Sequence, residues 1–330
     1  MAENQTTKTT YKAKKQNLKD YLNTFGVVLS LLLLCVILAI VSPQFLTMGN
    51  LMNVAGQAAV NSIISVGMFL AILTSGIDLS VGSVLALSTM FMGLFAKTFN
   101  MNPFVALLGC LAVGTFLGLI NGLLLTKLHL PHPFISTMGT KQMARGLCLV
   151  VTATQPVYGF KEPIVFLGNA SVGPVPVSFI LVAVLYGVMY LFLNRTKTGR
   201  YIYAVGGNKE AARLSGINVN GILNLVYAMS GFMAALAGIV LVGRVDTAYP
   251  LAGVDYETDA IAAVIIGGAS FFGGVGKIGN TIVGVLLIAV LRNGLNLLGV
   301  TSAWQTFTIG AVIIIAVFID VLRQGVGKKR

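Results

Sequence analysis

Ten long apolar runs, separated by short polar segments, constrain this chain more than any other feature of its sequence. A helix that crosses a bilayer needs roughly 20 apolar residues, and in lipid only helices and closed barrels satisfy all of their backbone polar groups. The runs lie at residues 24–42, 51–74, 79–97, 104–126, 134–153, 176–194, 220–242, 257–272, 278–298 and 303–322. They predict an all-α polytopic membrane protein with about ten transmembrane helices.

The composition favours the same fold class. Hydrophobic residues make up 56% of the chain and charged residues 10%, whereas an average soluble domain carries about 25% charged residues. The three cysteines, Cys35, Cys110 and Cys148, lie inside apolar runs without a paired spacing. They are therefore expected to be small buried side chains, not disulfide partners or metal ligands.

Basic residues are concentrated before the first run, between the sixth and seventh runs, and after the last run. These residues are Lys8, Lys12, Lys14, Lys15, Lys19, Arg195, Lys197, Arg200, Lys209, Arg213, Arg323, Lys328, Lys329 and Arg330. The positive-inside rule places such segments in the cytoplasm, and an even number of crossings agrees with it. We therefore expect a multi-pass protein of the cell inner membrane with cytoplasmic N- and C-termini.

The same charges predict how the chain is divided. We expect a basic cytoplasmic tail at residues 1–23, a transmembrane domain at 24–322 that contains a cytoplasmic loop at 195–219, and a short tail at 323–330. The net charge of +12 then belongs to an inner face that meets anionic membrane lipid. A nucleic acid partner is not expected.

A weak internal symmetry indicates a repeat. An apolar helix, a Gly/Ser break and a second apolar helix occur at residues 60–90, with the break at 74–76, and again at 258–290, with the break at 267–274. If the chain consists of two five-helix units, the odd number of helices inverts the second unit relative to the first. The prediction is two inverted five-helix repeats with broken helices that line a solute path.

Polar side chains inside apolar runs are costly unless they face protein or water. One stripe on the second run recurs every four residues and consists of Asn53, Gln57, Asn61 and Ser65. A shorter set on the seventh run consists of Asn220, Asn224 and Tyr227. These residues are candidates for a path that exchanges hydrogen bonds with an uncharged polyol, or for hydrogen bonds that hold the helices together.

Asp78 is the acidic residue that lies near an early run. It is a candidate proton or cation site, as in an ion-coupled carrier. Alternatively, Asp78 or Ser80 caps the third helix by accepting bonds from free backbone N–H groups. In the fourth run, Gly114, Gly118 and Gly122 form a ridge that predicts close helix packing.

The sequence contains no motif that is typical of a catalytic site. Residues 274–279 match a GxGxxG pattern but join two apolar runs, and Lys277 is not part of a phosphate-binding loop. His129 and His132 have no further ligands beside them, so neither a metal nor a cofactor is predicted. We expect that the chain is not an enzyme. A cluster of acidic residues at 255–259 is predicted to solvate a helix start or to bind a partner.

The polar loop between the sixth and seventh runs is the most specific signal. It carries a basic entry, a predicted turn at Gly206 and Gly207, and a short helix that begins after Asn208 and ends at Gly216. A short surface helix between two spans suits binding in a groove of another protein. The residues predicted to make that contact are Asn208, Glu210, Ala211, Ala212, Arg213 and Leu214.

Three segments resemble the monosaccharide ABC transporter permeases, in particular the ribose-type members of the branched-chain amino acid/sugar permease family. They are residues 74–83 (TSGIDLSVGS), 199–219 (GRYIYAVGGNKEAARLSGINV) and 256–268 (YETDAIAAVIIGG). The resemblance implies a homodimeric pore. It also implies an ATP-binding subunit that contacts the short helix as a coupling helix, and a periplasmic or lipid-anchored sugar-binding protein.

The function expected from the residues and the resemblance is import of a monosaccharide, ribose or a related sugar, with ATP hydrolysis in a separate subunit. The alternative is an ion-coupled secondary transporter of a small polar solute. In that alternative Asp78 would have to titrate during transport.

Overall fold

Helices account for most of the structure, a computed structural model that describes residues 26–324. The predicted tail at 1–23, and most of the predicted tail at 323–330, lie outside the described residues. The helices are α1 (Gly26–Val41), α2 (Met48–Leu73), α3 (Val81–Gly93), α4 (Pro103–Thr126), α5 (Pro133–Val151), α6 (Glu162–Asn169), α7 (Val177–Arg195), α8 (Lys197–Gly207), α9 (Lys209–Leu214), α10 (Val219–Val245), α11 (Tyr256–Ile266), α12 (Ile278–Leu297) and α13 (Ser302–Gln324). A π-helical turn, Leu94–Thr98, extends α3.

Four two-residue strands form two small antiparallel pairs. Strand β1 (Val157–Tyr158) pairs with β4 (Thr247–Ala248), so that Val157 lies opposite Ala248. Strand β2 (Ser171–Val172) pairs with β3 (Val175–Pro176) as a hairpin between α6 and α7. Both pairs therefore lie at the end of the bundle where α7 begins and α10 ends, away from α9.

Local capping residues determine where several helices begin. Asn102 precedes Pro103, and its side-chain oxygen accepts a hydrogen bond from the Phe104 N–H at 2.9 Å. His132 precedes Pro133, and its Nδ1 accepts from the Phe134 N–H at 3.1 Å. A cap followed by proline satisfies one free N–H and removes another, which favours a helix start at that position.

All ten predicted runs contain a helix, but the helices differ in length. Within residues 26–324, seven are long and apolar enough to cross a membrane, namely α2, α3 with its π-helical turn, α4, α7, α10, α12 and α13. Of the other three, α11 has 11 residues and the described part of α1 has 16. Helix α5 carries Lys141 and Arg145 within its apolar sequence. The expected all-α membrane protein is confirmed.

The prediction that the eighth run forms a helix over 257–272 was wrong, because α11 ends at Ile266. The next residue, Gly267, lies against α12, where a Cβ would come within 2.9 Å of the Asn280 carbonyl oxygen. Gly268 has a φ of 90°, which glycine adopts readily. The chain therefore turns sharply after α11 and returns as α12.

The close packing predicted from the glycine ridge of α4 is confirmed. A Cβ at Gly118 would lie 2.2 Å from the Tyr227 carbonyl oxygen of α10, and one at Gly114 would lie 2.6 Å from the Gly231 carbonyl oxygen. Cys110 is buried in the same interface, while Cys148 is buried and Cys35 is half-buried elsewhere, and all three are free thiols. Glycine thus lets the two backbones approach each other along α4 and α10.

Two long helices are each followed by a non-helical break and a short helix. Helix α2 has 26 residues and leads through residues 74–80, the first break, to the 13-residue α3. Helix α10 has 27 residues and leads through residues 246–255, the second break, to the 11-residue α11. The pair differs from the predicted one, which compared residues 60–90 with 258–290.

The sequence at the two breaks is also similar, since Gly-Ile-Asp at 76–78 matches Gly-Val-Asp at 253–255. The breaks meet inside the bundle. A Cβ at Gly82, in the first turn of α3, would lie 2.1 Å from the Gly253 carbonyl oxygen. The first turn of α3 and the second break are therefore in backbone contact.

The turn predicted at Gly206 and Gly207 was wrong, because both residues belong to α8. Helix α8 ends at Gly207, and the next residue, Asn208, is both the C-cap of α8 and the N-cap of α9. Gly206 packs on the end of α2, and a Cβ there would lie 1.6 Å from the Leu73 carbonyl oxygen. The glycine is needed for this contact and not for a turn.

Candidate functional site

A polar cavity of about 150 Å³, the central cavity, lies between α2, the second break, α11 and α12. It is lined by Gln57, Asn61, Val254, Asp255, Tyr256, Asp259 and Arg292. Two members of the predicted stripe on α2, Gln57 and Asn61, therefore lie in one cavity. Amide, hydroxyl and charged groups converge there, which is the composition expected of a site that binds a polar solute.

A buried ion pair forms one wall of the central cavity. Arg292 of α12 donates from Nε to Asp259 Oδ2 at 2.8 Å and from Nη2 to Asp259 Oδ1 at 2.6 Å. The Asp259 side chain is 3% exposed and that of Arg292 is 25% exposed. A two-bond pair of this kind fixes the orientation of the guanidinium, so its remaining N–H groups are held at the cavity edge.

The prediction that residues 255–259 solvate a helix start was wrong for two of the three carboxylates. Glu257 and Asp259 are both buried. Lys141 of α5 donates to Glu257 at 2.5 Å, as Arg292 does to Asp259. Cations on neighbouring helices pair with these carboxylates and thereby offset the cost of removing them from water.

Helix α5 also holds the second break. Arg145, one helical turn beyond Lys141, donates to the carbonyl oxygens of Pro250 and Ala252 at 2.5 and 2.9 Å. Gly253 and Asp255 have φ values of 68° and 66°. Arg145 thus fixes a backbone segment that departs from regular structure, directly beside the central cavity, and Lys141 holds the first turn of α11 next to it.

A second cavity, the lateral cavity, has a volume of about 380 Å³ and lies beside the N-terminal half of α2. Its lining includes Asn53, the first member of the predicted stripe, and Arg244 near the end of α10. The Arg244 guanidinium lies over Gly56, since its Nε would be 2.8 Å from a Cβ at that position. Arg244 has no hydrogen bond or ion pair within residues 26–324 in this structure.

The structure places the other candidate path residues elsewhere. Ser65 is fully buried, and its hydroxyl has no partner within the described part of the chain. Asn224 accepts a hydrogen bond from the Thr126 hydroxyl at 2.8 Å and contacts Gly122. Asn224 therefore joins α10 to α4, and neither it nor Ser65 lines the central cavity.

Asp78 lies in the first break and is 1% exposed. Its Oδ1 accepts from the backbone N–H and the hydroxyl of Ser80 at 2.9 and 2.6 Å, and its Oδ2 accepts from the Ser230 hydroxyl at 2.7 Å. Asn121 of α4 donates to the Ser80 hydroxyl at 2.9 Å. Asp78 thus joins Ser80, the residue before α3, to Ser230 of α10 through neutral donors, and Asn121 extends this network to α4. The N–H that Asp78 binds is that of Ser80 itself, and the Ser80 side chain makes no capping bond to α3, so the capping alternative stays a prediction.

The predicted short helix in the polar loop is α9. The Asn208 side chain accepts from the Ala211 N–H at 2.9 Å, and Gly216 follows the helix with a φ of 80°. Glu210 and Arg213 form an exposed ion pair of 2.6 Å, and the bond from Arg213 lowers the pKa of the Glu210 carboxyl. Ala212 is buried, whereas Leu214 is 79% exposed. Helix α9 therefore presents an apolar side chain beside charged ones.

Sequence reasoning missed Lys141, Arg145 and Arg244. A signal was present for the first two, because cations spaced four residues apart in an apolar run lie on one helix face and need partners inside the bundle. Arg244 ends an apolar helix, where a basic residue is common, so its position gave no comparable signal.

Comparisons with known proteins support a transport role. Residues 50–317 match the family model described as the branched-chain amino acid transport system / permease component. The chain is 43% identical to the ribose import permease protein RbsC of Escherichia coli K12 over 90% of this chain and 93% of the relative.

Two further relatives are similar over nearly their whole length. Identity to the RbsC protein of Bacillus subtilis is 41%, over 93% of this chain and 95% of the relative. Identity to the D-allose transport system permease protein AlsC of Escherichia coli K12 is 42%, over 93% of this chain and 94% of the relative. No solved structure matches the chain. The resemblance found in its motifs is confirmed, and the chain belongs to the permease family of the branched-chain amino acid transport systems.

Proposed function

We propose that this chain is the permease subunit of an ATP-driven ABC importer that carries a monosaccharide, ribose or a related sugar, across the inner membrane. The observation that carries the proposal is the combination of a polar central cavity inside an apolar bundle with relatives that are named as ribose and allose permeases. Amide and hydroxyl groups suit an uncharged polyol, since both donate and accept hydrogen bonds.

The proposed arrangement in the membrane has ten membrane-embedded helices in two inverted repeats. Helices α1 to α5 form one repeat, and α7 with α10 to α13 form the other. In this arrangement α2 with α3 corresponds to α10 with α11, which agrees with their similar lengths and with the matching Gly-x-Asp segments. Helix α11 would be about 17 Å long, too short to cross a core of about 30 Å alone.

The orientation we propose places both termini and α9 in the cytoplasm, because the basic residues flank these segments. The second break and the lateral cavity would then face the opposite side, where a sugar-binding protein delivers the solute. The functional unit is a homodimer in contact with membrane lipid, as the family resemblance implies.

The solute path we propose follows α2 from the lateral cavity to the central cavity. Asn53 lines the lateral cavity, and Gln57 and Asn61 line the central cavity. Each of these amides lies about one helical turn after the previous one. Successive amides on one helix face provide hydrogen bonds that a sugar exchanges as it moves. Asp259 and Arg292 are paired with each other, so they add polarity without a free charge.

Coupling to ATP hydrolysis is proposed at α9. The ATP-binding subunit would contact Asn208, Glu210, Ala211, Ala212, Arg213 and Leu214, of which Ala212 lies on the buried side and supports the helix from within. An exposed leucine next to an ion pair suits a groove with an apolar floor and a polar rim. Movement of the bound subunit would then displace α8 and α9 together, because they share Asn208.

The proposal is tested by charge reversal on α9 in the full complex, reconstituted in vesicles with its ATP-binding subunit and its sugar-binding protein. We expect Glu210→Lys and Arg213→Glu each to abolish ATP-dependent uptake of labelled ribose while the permease still inserts in the membrane. The Lys161→Glu variant, which changes an exposed charge at the end of the bundle opposite α9, is the control and keeps its activity. Normal uptake by both α9 variants would contradict the proposal.

The ion-coupled alternative makes a different prediction at Asp78. A carrier that moves a proton or cation through Asp78 would lose transport in Asp78→Asn, since the amide does not titrate. The importer retains ATP-dependent uptake in this variant, and a pH gradient or sodium gradient does not drive uptake. Loss of uptake together with a normal amount of assembled complex would favour the ion-coupled carrier.

A further inference from the structure

Two polar side chains of the lateral cavity have no partner within the described part of the chain. Arg244 is only partly exposed and forms neither a hydrogen bond nor an ion pair there. Ser178 also lines the cavity, is 1% exposed, and its hydroxyl is buried without a hydrogen-bond partner. A cation or hydroxyl that has lost water without gaining a partner is costly. Both groups therefore point to a ligand that accepts hydrogen bonds.

The first turn of α7 brings further donors to the same cavity. Pro176 precedes the helix and lines the cavity, and no described side chain caps α7. The Val177 N–H donates to the Ala170 carbonyl oxygen at 2.9 Å. The next two N–H groups, of Ser178 and Phe179, make no hydrogen bond within residues 26–324. A helix start with free N–H groups attracts anions, phosphate among them.

The lining of the lateral cavity supplies a positive charge and no negative one. Among the described residues that line it, Arg244 is charged and none is a carboxylate. Gly56 leaves room for the guanidinium, since a Cβ there would lie 2.8 Å from its Nε. A guanidinium with hydroxyl and N–H donors beside it suits phosphate, which has several acceptor oxygens. An ammonium group would find no anion in this cavity.

The lateral cavity lies at the depth of lipid headgroups. Helix α2 has 26 residues and α10 has 27, so each is about 40 Å long. That length matches a bilayer with its headgroups, about 40 to 45 Å, around a hydrocarbon core of about 30 Å. Asn53 is the sixth residue of α2, Ser178 is the second of α7, and Arg244 is the last but one of α10. All three therefore lie near the boundary between headgroups and hydrocarbon.

Exposed apolar side chains lie within two residues of the cavity lining along the chain. They are Leu51, Phe166, Val172, Val175 and Phe179, each at least 38% exposed. A soluble anion makes no use of such a border. The acyl chains of a lipid whose phosphate is at Arg244 would cover it, which removes apolar surface from water.

We propose that the lateral cavity binds the phosphate of an anionic phospholipid, such as phosphatidylglycerol, from the leaflet at this end of the bundle. Arg244 pairs with the phosphate, and the Ser178 hydroxyl and the free N–H groups of α7 donate to its oxygens. A zwitterionic lipid binds less tightly, because the cavity offers no carboxylate to its ammonium group.

The lipid site is independent of the proposed function. It depends neither on which solute is carried nor on where the solute path runs. The cavity, about 380 Å³, is large enough for a drug-sized ligand, so a phosphate at Arg244 leaves space beside Asn53.

The test measures lipid binding to the full-length permease, assembled with its ATP-binding subunit and freed of lipid in a neutral detergent. Dioleoyl phosphatidylglycerol is added in steps, and the rise in unfolding temperature gives its affinity. Dioleoyl phosphatidylcholine, with the same acyl chains and no net charge, is the comparison lipid. Inorganic phosphate is the soluble anion for comparison.

Phosphatidylglycerol should raise the unfolding temperature of the parent, and the other two probes should not. We expect Arg244→Gln to weaken its binding at least about ten-fold, because the phosphate loses a charged donor. Ser178→Ala should weaken it about five-fold, for loss of one net hydrogen bond. Lys161→Gln is the matched control, since it removes an exposed charge at the same end of the bundle, and it binds like the parent.

Phosphatidylglycerol binding that is unchanged in Arg244→Gln and Ser178→Ala would overturn the inference. If Arg244→Gln does not assemble, Ser178→Ala decides alone. Equal stabilisation of the parent by inorganic phosphate would overturn it too, because the ligand would then be a soluble anion. If Arg244→Gln instead abolishes binding of the sugar-binding protein and leaves lipid binding unchanged, the cavity receives a carboxylate of that protein and the inference is wrong.

Discussion

The contact of α4 with α10 and the contact of α2 with α11 and α12 belong to the same bundle but are built from opposite residue types. Along α4, Gly114, Gly118 and Gly122 bring two backbones together with no room for a Cβ. Along α2, Gln57 and Asn61 face a cavity that is bounded by charged side chains of the other two helices. The interface of α4 with α10 leaves no room for a side chain, whereas the interface of α2 with α11 and α12 contains a cavity.

The difference indicates that the first interface supports the fold, whereas the second borders the solute path that we propose. Close backbone packing gains dispersion energy over many atoms and resists movement. A polar cavity gives up such packing and is maintained only because its charges are paired, as Asp259 is with Arg292. We therefore expect changes at the glycine interface to affect stability first, and changes at the cavity to affect transport as well.

The largest effect is expected from Arg292→Gln, which leaves Asp259 buried without its cation. Loss of one member of a buried pair costs about 3 kcal/mol or more, so the unfolding temperature of the purified permease should fall strongly and uptake should be lost. Arg292→Lys keeps the charge but not the two parallel bonds. It should lower the unfolding temperature and the uptake clearly less than Arg292→Gln does. Thermal unfolding in detergent measures both. An unchanged unfolding temperature in Arg292→Gln would show that the pair does not support the cavity.

A smaller effect is expected from Gly118→Ala at the glycine interface. The new Cβ would lie 2.2 Å from the Tyr227 carbonyl oxygen, so α4 and α10 must separate, at a cost of about 2 kcal/mol. The same unfolding measurement tests this, together with uptake per correctly folded complex. We expect that ratio to stay normal, because the substitution is remote from the central cavity. Normal stability would mean that the helices are not closely packed in the membrane.

A still smaller effect is expected from Gln57→Ala in the central cavity. Removing one amide that a sugar can bind should raise the KM of ribose uptake about five-fold, which corresponds to one net hydrogen bond. Stability should change little, since no hydrogen bond of Gln57 to the described protein is present in the structure. The measurement is initial uptake at varied ribose concentration. An unchanged KM would remove Gln57 from the solute path.

The smallest effect is expected from Gly187→Ala in α7. A Cβ at Gly187 meets no other atom within 4 Å, so the substitution should be neutral or stabilise the helix by about 0.5 kcal/mol. The same unfolding assay compares it with Gly118→Ala. If Gly187→Ala and Gly118→Ala destabilise the permease equally, the lost stability comes from adding a methyl group to any helix and not from the contact of α4 with α10.

Features that depend on neighbouring residues could be predicted from the sequence. Asn208 and Gly216 lie at the two ends of α9, and their capping roles need only a few residues of chain. Each apolar run contains a helix for the same reason, and the four-residue spacing brought Gln57 and Asn61 to one face. The glycine ridge of α4 was informative because glycine at every fourth position has few uses other than close packing.

Features that depend on distant residues could not be predicted. Lys141 and Glu257 are 116 residues apart, so no local pattern shows that the carboxylate is buried and paired. Gly206 and Gly207 are typical of a turn, but contact with Leu73 keeps Gly206 within a helix. The end of α11 at Ile266 likewise depends on packing of Gly267 against α12. The apolar run continues to residue 272, so the sequence alone predicted a longer helix.

The central claim is that α9 lies in the cytoplasm, where an ATP-binding subunit reaches it. Leu214→Cys, in the chain without its three native cysteines, places a thiol at a position that is 79% exposed. A membrane-impermeant maleimide is applied to intact cells and to inside-out vesicles prepared from them. We predict labelling in the vesicles and none in intact cells, with protection when the ATP-binding subunit is bound. Labelling in intact cells would contradict the account.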